Sequence, residues 1–295
     1  MDPNKRHINT PLFFKTLIGA SQLPFSIHCL STFIKYSNVE IRLKIFDDGT
    51  LSEMDILLVE QELAGATVIK KKDRESLILK KMERYPACIA FRSSNVLGLK
   101  LFDVMLYDED NLLFIDSDVF FLRPFSWPIL SQEGPVFMQD VMNAYSFDPF
   151  DFIQVKHAIF PRINTGMISF PRNLYRLDLI EELLKGICKP ERVTKFSYGW
   201  IEQTIWAFLA GLKEFVFYFN SQQFIIPTNK LILDTDTIAI HLVSNRRWMY
   251  NDVKNSHLFV PQNETEIHFD YIEQKLTKLA FFKERFVTML KRYKA

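Results

Sequence analysis

The chain has 295 residues, 48% of them apolar, which suits one large domain, or one domain plus an appendage, with a sizeable core. Lys and Arg total 36 and Asp and Glu 35, a near-neutral balance that argues against a general nucleic-acid binder. Only 9 glycines stand against 28 phenylalanines, a poor match to flexible or low-complexity architecture.

Cys29, Cys88 and Cys188 are odd in number and widely spaced, so neither a disulfide framework nor a zinc site is expected. They read as reduced, buried thiols of a cytoplasmic protein. The opening MDPNKRHINT lacks the apolar run of a signal peptide. No stretch reaches the roughly 18 apolar residues of a membrane span. G-x-G-x-x-G, G-x-x-x-x-G-K-[ST] and H-E-x-x-H are absent.

In chain order, LFFKTLI (12–18) reads as a strand and 23–37 as a helix, with Ile27, Leu30 and Ile34 at helical spacing. EIRLKIF (40–46) alternates as a strand and runs into the Asp-Gly turn of DDGTLSEM. Ser52 then caps a helix whose stop is Gly65. ATVIK (66–70) is a third strand, followed by a basic segment and a helix from about Ser93 to Tyr107. NLLFI (111–115) is the next strand. The β-α-β-α order predicts an α/β fold with a mainly parallel sheet and helices on both faces. Ligands of such sheets bind beyond the carboxyl ends of the strands. Ile18-Gly19, Asp47-Asp48 and Asp116-Ser117-Asp118 all lie at such ends.

NLLFIDSDVFFLRPF places two aspartates one residue apart within an apolar stretch. A buried carboxylate is costly unless paired or bound to a cation, and two so close repel each other. A divalent ion removes both penalties. Asp116 and Asp118 offer hard oxygen ligands suited to Mg²⁺ or Mn²⁺, with positions left for substrate phosphates.

This stretch resembles the D-x-D strand of nucleotide-sugar glycosyltransferases of the GT-A fold, closest to glycosyltransferase family 8, the glycogenin and galactosyltransferase-like enzymes. SSNVLGLKLFDVMLYDEDNLLFIDSD, RINTGMISFPRN (162–173), YGWIEQTIWAFL (198–209) and TIAIHLVSNRRW (237–248) resemble further family segments in the same order, covering about residues 10 to 250. The chain departs from the family at Glu202, where an aspartate is usual, and at VSNRRW, in place of a glycine-rich phosphate segment.

The resemblance implies a GT-A domain over 1–250, a C-terminal helical extension over 251–295 packed on it or peripheral, and transfer of a hexose with retention. The donor would be a nucleotide diphosphate sugar, foremost a UDP-sugar. It implies Mn²⁺ or Mg²⁺ on Asp116, Asp118 and His241, with Asp116 also meeting the ribose. Lys100 would reach the donor sugar or phosphate, as would Arg92. Asn164, a sugar-binding residue, lies with Thr165 and Gly166 on a polar step that reads as a loop entering a strand. Ile18, Gly19 and Ser117 would line the nucleotide, and Asp47 or Asp48 would accept a hydrogen bond from the base. Glu202 and Gln203 would lie beside the anomeric carbon and Asp140 on the sugar hydroxyls. An inverting enzyme would instead need Asp140 or Glu202 as base.

A sugar nucleotidyltransferase and a non-catalytic nucleotide or carbohydrate binder stay open as alternatives. The acceptor, whether glycan, lipid or protein, is not encoded in any motif; its pocket is expected from 143–161 and the C-terminal third. From Lys275 to Ala295 seven basic residues face one acid, Glu284, with Leu276, Leu279, Phe286 and Leu290 near helical spacing. Such a helix either packs on the domain or makes a peripheral membrane contact.

Overall fold

The computed structural model describes residues 10–128, 134–147, 152–153, 158–186, 188, 199–228, 230–255 and 264–293. Strands β1 (Leu12–Ile18), β2 (Ile41–Asp47) and β3 (Thr67–Ile69) run parallel, and β4 (Leu112–Ile115) joins β1 in parallel on its other side. Helix Leu23–Tyr36 connects β1 to β2 and buries Leu23, Ile27, Leu30 and Phe33. Helix Glu53–Glu62 starts at a capping box, in which the Ser52 hydroxyl accepts from Asp55 N and the Asp55 carboxylate accepts from Ser52 N. The chain leaves that helix through Gly65, whose φ of 79° is one that glycine adopts without a Cβ penalty.

β5 (Val119–Phe121) and β6 (Phe125–Ser126) leave the main sheet. β7 (Val136–Gln139), β8 (Ile163–Phe170) and β9 (Val216–Phe219) extend it with mixed polarity. β10 (Phe224–Ile225) and β11 (Ala239–His241) form a small sheet with β5. β12 (Thr265–Glu266) pairs with β6, and β13 (Phe269–Ile272) adds to β9. The eight-stranded order is β13-β9-β7-β8-β4-β1-β2-β3, a mixed, mainly parallel sheet flanked by helices, as expected. Residues 251–295, expected as a helical extension, also contribute this sheet's edge strand β13.

The basic segment after β3 is a helix, Lys71–Met82, followed by a second, Pro86–Ser94. The inward residues of the first are Arg74, Ile78 and Met82, so its apolar stripe is interrupted by a charge. That charge is paired: Arg74 Nε lies 2.7 Å from Asp103 Oδ2, and Arg92 Nε lies 2.6 Å from Asp103 Oδ1. Arg74 also donates to the Ile69 and Asp47 carbonyls, tying the ends of β2 and β3 to the network. Arg92, which also pairs with Glu75, is committed to this network. Asp103 closes a π-helical stretch, Leu99–Asp103, within the helix 96–106.

The C-terminal helix Lys278–Tyr293 packs through Phe281, fully buried against Phe147 and Phe152 at ring-centroid distances of 5.1 Å. The side chains beyond Val287, and residues 148–151 and 154–157 of the expected acceptor loop, lie outside the described residues. Cys29, Cys88 and Cys188 are buried and no disulfide joins them. Among the described residues no helix is long and apolar enough to cross a membrane.

Candidate active site

Ile115 ends β4, and Asp116 follows with its N–H donating to the Gly166 carbonyl of β8 (2.7 Å). A tight turn, Val119 N to Asp116 O at 3.2 Å, swings the chain into β5. β5 pairs antiparallel with β11, opposing Val119 to His241. That register brings His241 Nε2 to 3.1 Å from Asp118 Oδ1 and 3.7 Å from Asp116 Oδ2. Asp116, Asp118 and His241 each offer a ligand atom within 4.8 Å of the others.

β8 orients the imidazole. Its pairing with β7 jumps from Phe137–Ile168 to Met138–Asn164, which leaves residues 165–167 without a β7 partner. This bulge lets neighbouring residues of β8 serve one site. Asn164 Oδ1 accepts from Gly166 N (2.9 Å) and lies 2.9 Å from His241 Nδ1, while its Nδ2 donates to Asp140 Oδ2 (3.2 Å). With Asn164 so oriented, His241 Nδ1–H donates to it and Nε2 is the ring nitrogen turned to the two carboxylates. Gly166 is needed against the ring: a Cβ there would sit 2.4 Å from His241 Nδ1. The polar step Asn164-Thr165-Gly166 is therefore part of a strand, not a loop.

Lys100, buried on the π-helical stretch, donates to Asp116 Oδ2 (2.9 Å) and to the Thr165 carbonyl (2.8 Å). Its Nζ also lies 3.7 Å from Glu202 Oε1, and Thr165 Oγ1 donates to Glu202 Oε2 (2.9 Å). Burial alone would lower the lysine pKa; Asp116 and Glu202 overcome it and leave it raised. Glu202 is 2% exposed, at the start of helix Ile201–Ala210, and burial pushes its pKa up.

The two aspartates differ. Burial and the neighbouring Asp118 charge raise the Asp116 pKa against the pull of Lys100. Burial works against Asp118 ionisation too, but His241 and Arg247 hold its carboxyl below the ordinary value. Arg247 Nη2 donates to Asp118 Oδ2 at 3.0 Å, and its side chain is 41% exposed. Sequence reasoning missed Arg247. The signal was the basic pair Arg246-Arg247 a few residues after a strand-end histidine, on the 3₁₀ turn Ser244–Met249.

Asp140 follows β7, and burial raises its pKa. Gln203 Nε2 lies 3.4 Å from Asp140 Oδ2 and donates to the Ala144 carbonyl (3.1 Å). Ser117 Oγ accepts from Ser26 Oγ at 3.1 Å.

Ile18, Gly19, Asp47 and Asp48 form a second group, at the ends of β1 and β2 on the same carboxyl edge. Asp47, buried, accepts from Gly49 N (2.7 Å) and Leu51 N (3.2 Å) and so shapes the turn into the next helix. Asp48 accepts from Thr50 N (3.0 Å), and its carboxylate lies over Gly19.

No protein-family model matches the chain, and no curated protein matches it. Among solved structures it is similar to galactosyltransferase LgtC in complex with donor and acceptor sugar analogs. The sequences are 14% identical, the TM-score is 0.52, and the match covers 84% of this chain and 92% of that one. An active-site mutant of LgtC matches at 13% identity and a TM-score of 0.50, over 85% of this chain and 98% of that one. The fold is thus that of the GT-A glycosyltransferases, as the sequence resemblance implied.

Proposed function

We propose that the protein is a metal-dependent glycosyltransferase that moves a hexose from a nucleotide diphosphate sugar, foremost a UDP-sugar, to an acceptor. The observation that carries this reading is the cluster Asp116, Asp118 and His241, with Nε2 turned to the carboxylates by Asn164. Two carboxylates and a neutral imidazole fit a divalent ion, Mn²⁺ better than Mg²⁺ because imidazole is the softer ligand. A bound ion there supplies Lewis-acid stabilisation to a leaving diphosphate.

The chain's own residues supply the rest. Arg247 is exposed enough to turn from Asp118 towards a diphosphate. Lys100 stays buried, compensates Asp116 and adds positive potential beneath the phosphates. Glu202 acts from behind it, holding Lys100 and Thr165. Asp140, Gln203 and Asn164 form a connected polar group suited to sugar hydroxyls. Ser117, Thr165 and Gly166 border it. Ile18, Gly19, Asp47 and Asp48 are assigned to the nucleotide side. Retention would run through a short-lived ion pair on one face of the sugar, because Glu202, held by Lys100 and Thr165, is too enclosed to serve as a nucleophile. LgtC's complex with donor and acceptor sugar analogs supports the substrate class. The buried thiols, none in a disulfide, support a cytoplasmic setting.

Turnover of UDP-sugars with Mn²⁺, and weaker turnover with Mg²⁺, is the expected result. His241→Ala should raise the Mn²⁺ concentration needed for half-maximal activity by at least about tenfold. A variant with unchanged metal requirement but a large loss of metal-free stability would make His241 a core residue and remove the ligand assignment.

We propose as a second, lesser reading that the outward face of the C-terminal helix, which packs on the domain through Phe281, also touches an anionic membrane. Leu279 and Phe286 are 80% and 58% exposed. The one acid of this basic segment, Glu284, bonds inward to Asn143. The double substitution Leu279→Glu, Phe286→Glu should abolish flotation with anionic liposomes at unchanged melting temperature. Equal flotation of the variant and the parent would exclude this face as the contact.

A further inference from the structure

We propose that Glu284 is a positioning residue for the Asp140–Gln203 side of the site, acting through Asn143. The proposal rests on the glycosyltransferase reading for what is positioned, and on hydrogen-bond geometry for how.

Glu284 is the sole acid among the last 21 residues, and it is not spent on the solvated face of its helix. One carboxylate oxygen accepts from Asn143 N at 2.8 Å, and the other accepts from the Asn143 side-chain Nδ2. Both donors of one buried residue are thus held from a helix 141 positions away in sequence. Fixing Asn143 on both donors leaves its Oδ1 to accept from Arg162 N, at 2.7 Å.

Arg162 is the point where this matters. Its φ of 55° makes it the one non-glycine residue with positive φ among the described residues. A non-glycine residue keeps that conformation only where its surroundings impose it. Asn143 Oδ1 holds its N–H, and its carbonyl accepts from Asp140 N at 2.7 Å. Two residues further lies Asn164, which orients both Asp140 and His241. One residue after Asn143 lies Ala144, whose carbonyl holds Gln203. Asn143 therefore stands between the C-terminal helix and three polar residues of the site: Asp140, Asn164 and Gln203.

Arg285 adds a tether, donating to the Tyr145 carbonyl at 2.6 Å. Phe281 supplies the apolar anchoring of the helix. Glu284 supplies direction, because a carboxylate with two fixed donors admits one orientation of the segment 140–145. The Asp116–Asp118 turn is held mainly by β4 and by the β5–β11 pairing, with one bond from Asp116 N to the Gly166 carbonyl of β8. Disturbing Glu284 should accordingly loosen the sugar side of the site first and reach the metal side only through Asn164 and His241.

The test is a double-mutant cycle with two readouts. In Glu284→Gln one oxygen still accepts from Asn143 N, but the new amide faces the Asn143 amide donor to donor. In Asn143→Asp two carboxylates face each other. In the double variant the amide introduced at 284 donates to the carboxylate introduced at 143, and the pairing returns with its polarity reversed.

The first readout is hydrogen exchange of segments 136–147 and 158–170, which needs no substrate. Each single variant should exchange faster there, with much less change around 112–121 and 238–243, and the double variant should return to the parent rate. The second is kinetic. Each single variant should lose about ten- to hundredfold in kcat. Affinity for UDP with Mn²⁺ should fall by much less than kcat, and the double variant should recover most of kcat.

Unchanged exchange in the single variants, or no recovery in the double variant, overturns the proposal. So does a loss of UDP–Mn²⁺ affinity that tracks a fall in melting temperature, since that is what a merely structural residue would give. A parent protein that turns over no nucleotide sugar would sink the glycosyltransferase reading, while the exchange readout would still decide whether Glu284 orders the segment.

Discussion

Asp118→Ala should lose nucleotide-sugar turnover by about three orders of magnitude while the metal-free protein still folds, with a modest loss of stability. The rate loss follows from removing a ligand of an ion worth several kcal/mol to the leaving group, at about 1.36 kcal/mol per tenfold. The stability sign follows from the site's charges. The Asp118 carboxylate contributes to raising the Asp116 pKa, so the two ions work against each other when no cation lies between them. Its removal relieves that repulsion but forfeits the contacts with His241 and Arg247 that hold the Asp118 carboxyl below its ordinary value, so the net change is a loss. The Arg247 guanidinium it releases is 41% exposed and goes to water rather than into an apolar pocket. Melting curves with and without Mn²⁺ check both halves. The parent should gain stability with Mn²⁺ because the ion binds only the folded form, and the variant should not. Turnover near the parent's at saturating metal would end the case for Asp118 as a ligand.

Asp103→Ala should be the most destabilising single change in the chain's polar core. Asp103 and Arg74 side chains are both 0% exposed, and that of Arg92 is 2% exposed. Removing the shared carboxylate leaves two guanidinium groups buried beside an apolar methyl. Breaking a buried ion pair from one side costs about 3–5 kcal/mol, against a total of about 5–15 kcal/mol for a typical domain. Arg92 retains Glu75 and Arg74 retains two backbone carbonyls, which keeps the loss within that range. The urea midpoint should fall accordingly. Lys100 lies on the same π-helical stretch as Asp103, so donor affinity should weaken as well. An unfolding free energy within about 1 kcal/mol of the parent's would mean that the carbonyls and Glu75 suffice for both arginines, contrary to the usual cost of an uncompensated buried charge.

Alternation and helical spacing made β1, β2, β4 and helix Leu23–Tyr36 readable to within a residue or two, because apolar residues dominate their buried faces despite Lys15, Thr16, Ser26, Thr32 and Asp47. Helix Lys71–Met82 escaped because a buried arginine interrupts its inward stripe, and only Asp103, 29 residues on, makes that burial tolerable. Asn164-Thr165-Gly166 looked like a loop because polar and small residues follow one another there. A bulge in β8 permits that run inside a strand, and a bulge leaves no periodic mark in sequence. Arg247 was passed over because a basic pair after a strand carries no sign of the carboxylate it will meet.

By itself the sequence determined the donor types and their place at strand ends. Two aspartates follow one apolar run and a histidine follows another, and the antiparallel β5–β11 pairing brings them together. Tertiary structure alone decided the rest. It set which nitrogen of His241 faces the aspartates, that Lys100 answers Asp116 and Glu202 together, and that Arg247 answers Asp118. The physical reason is that hydrogen-bond direction and the distance between like charges vary over a few tenths of an ångström. Those distances are fixed by the β5–β11 register and the β8 bulge, which join residues more than a hundred positions apart. Local propensity carries no information at that range.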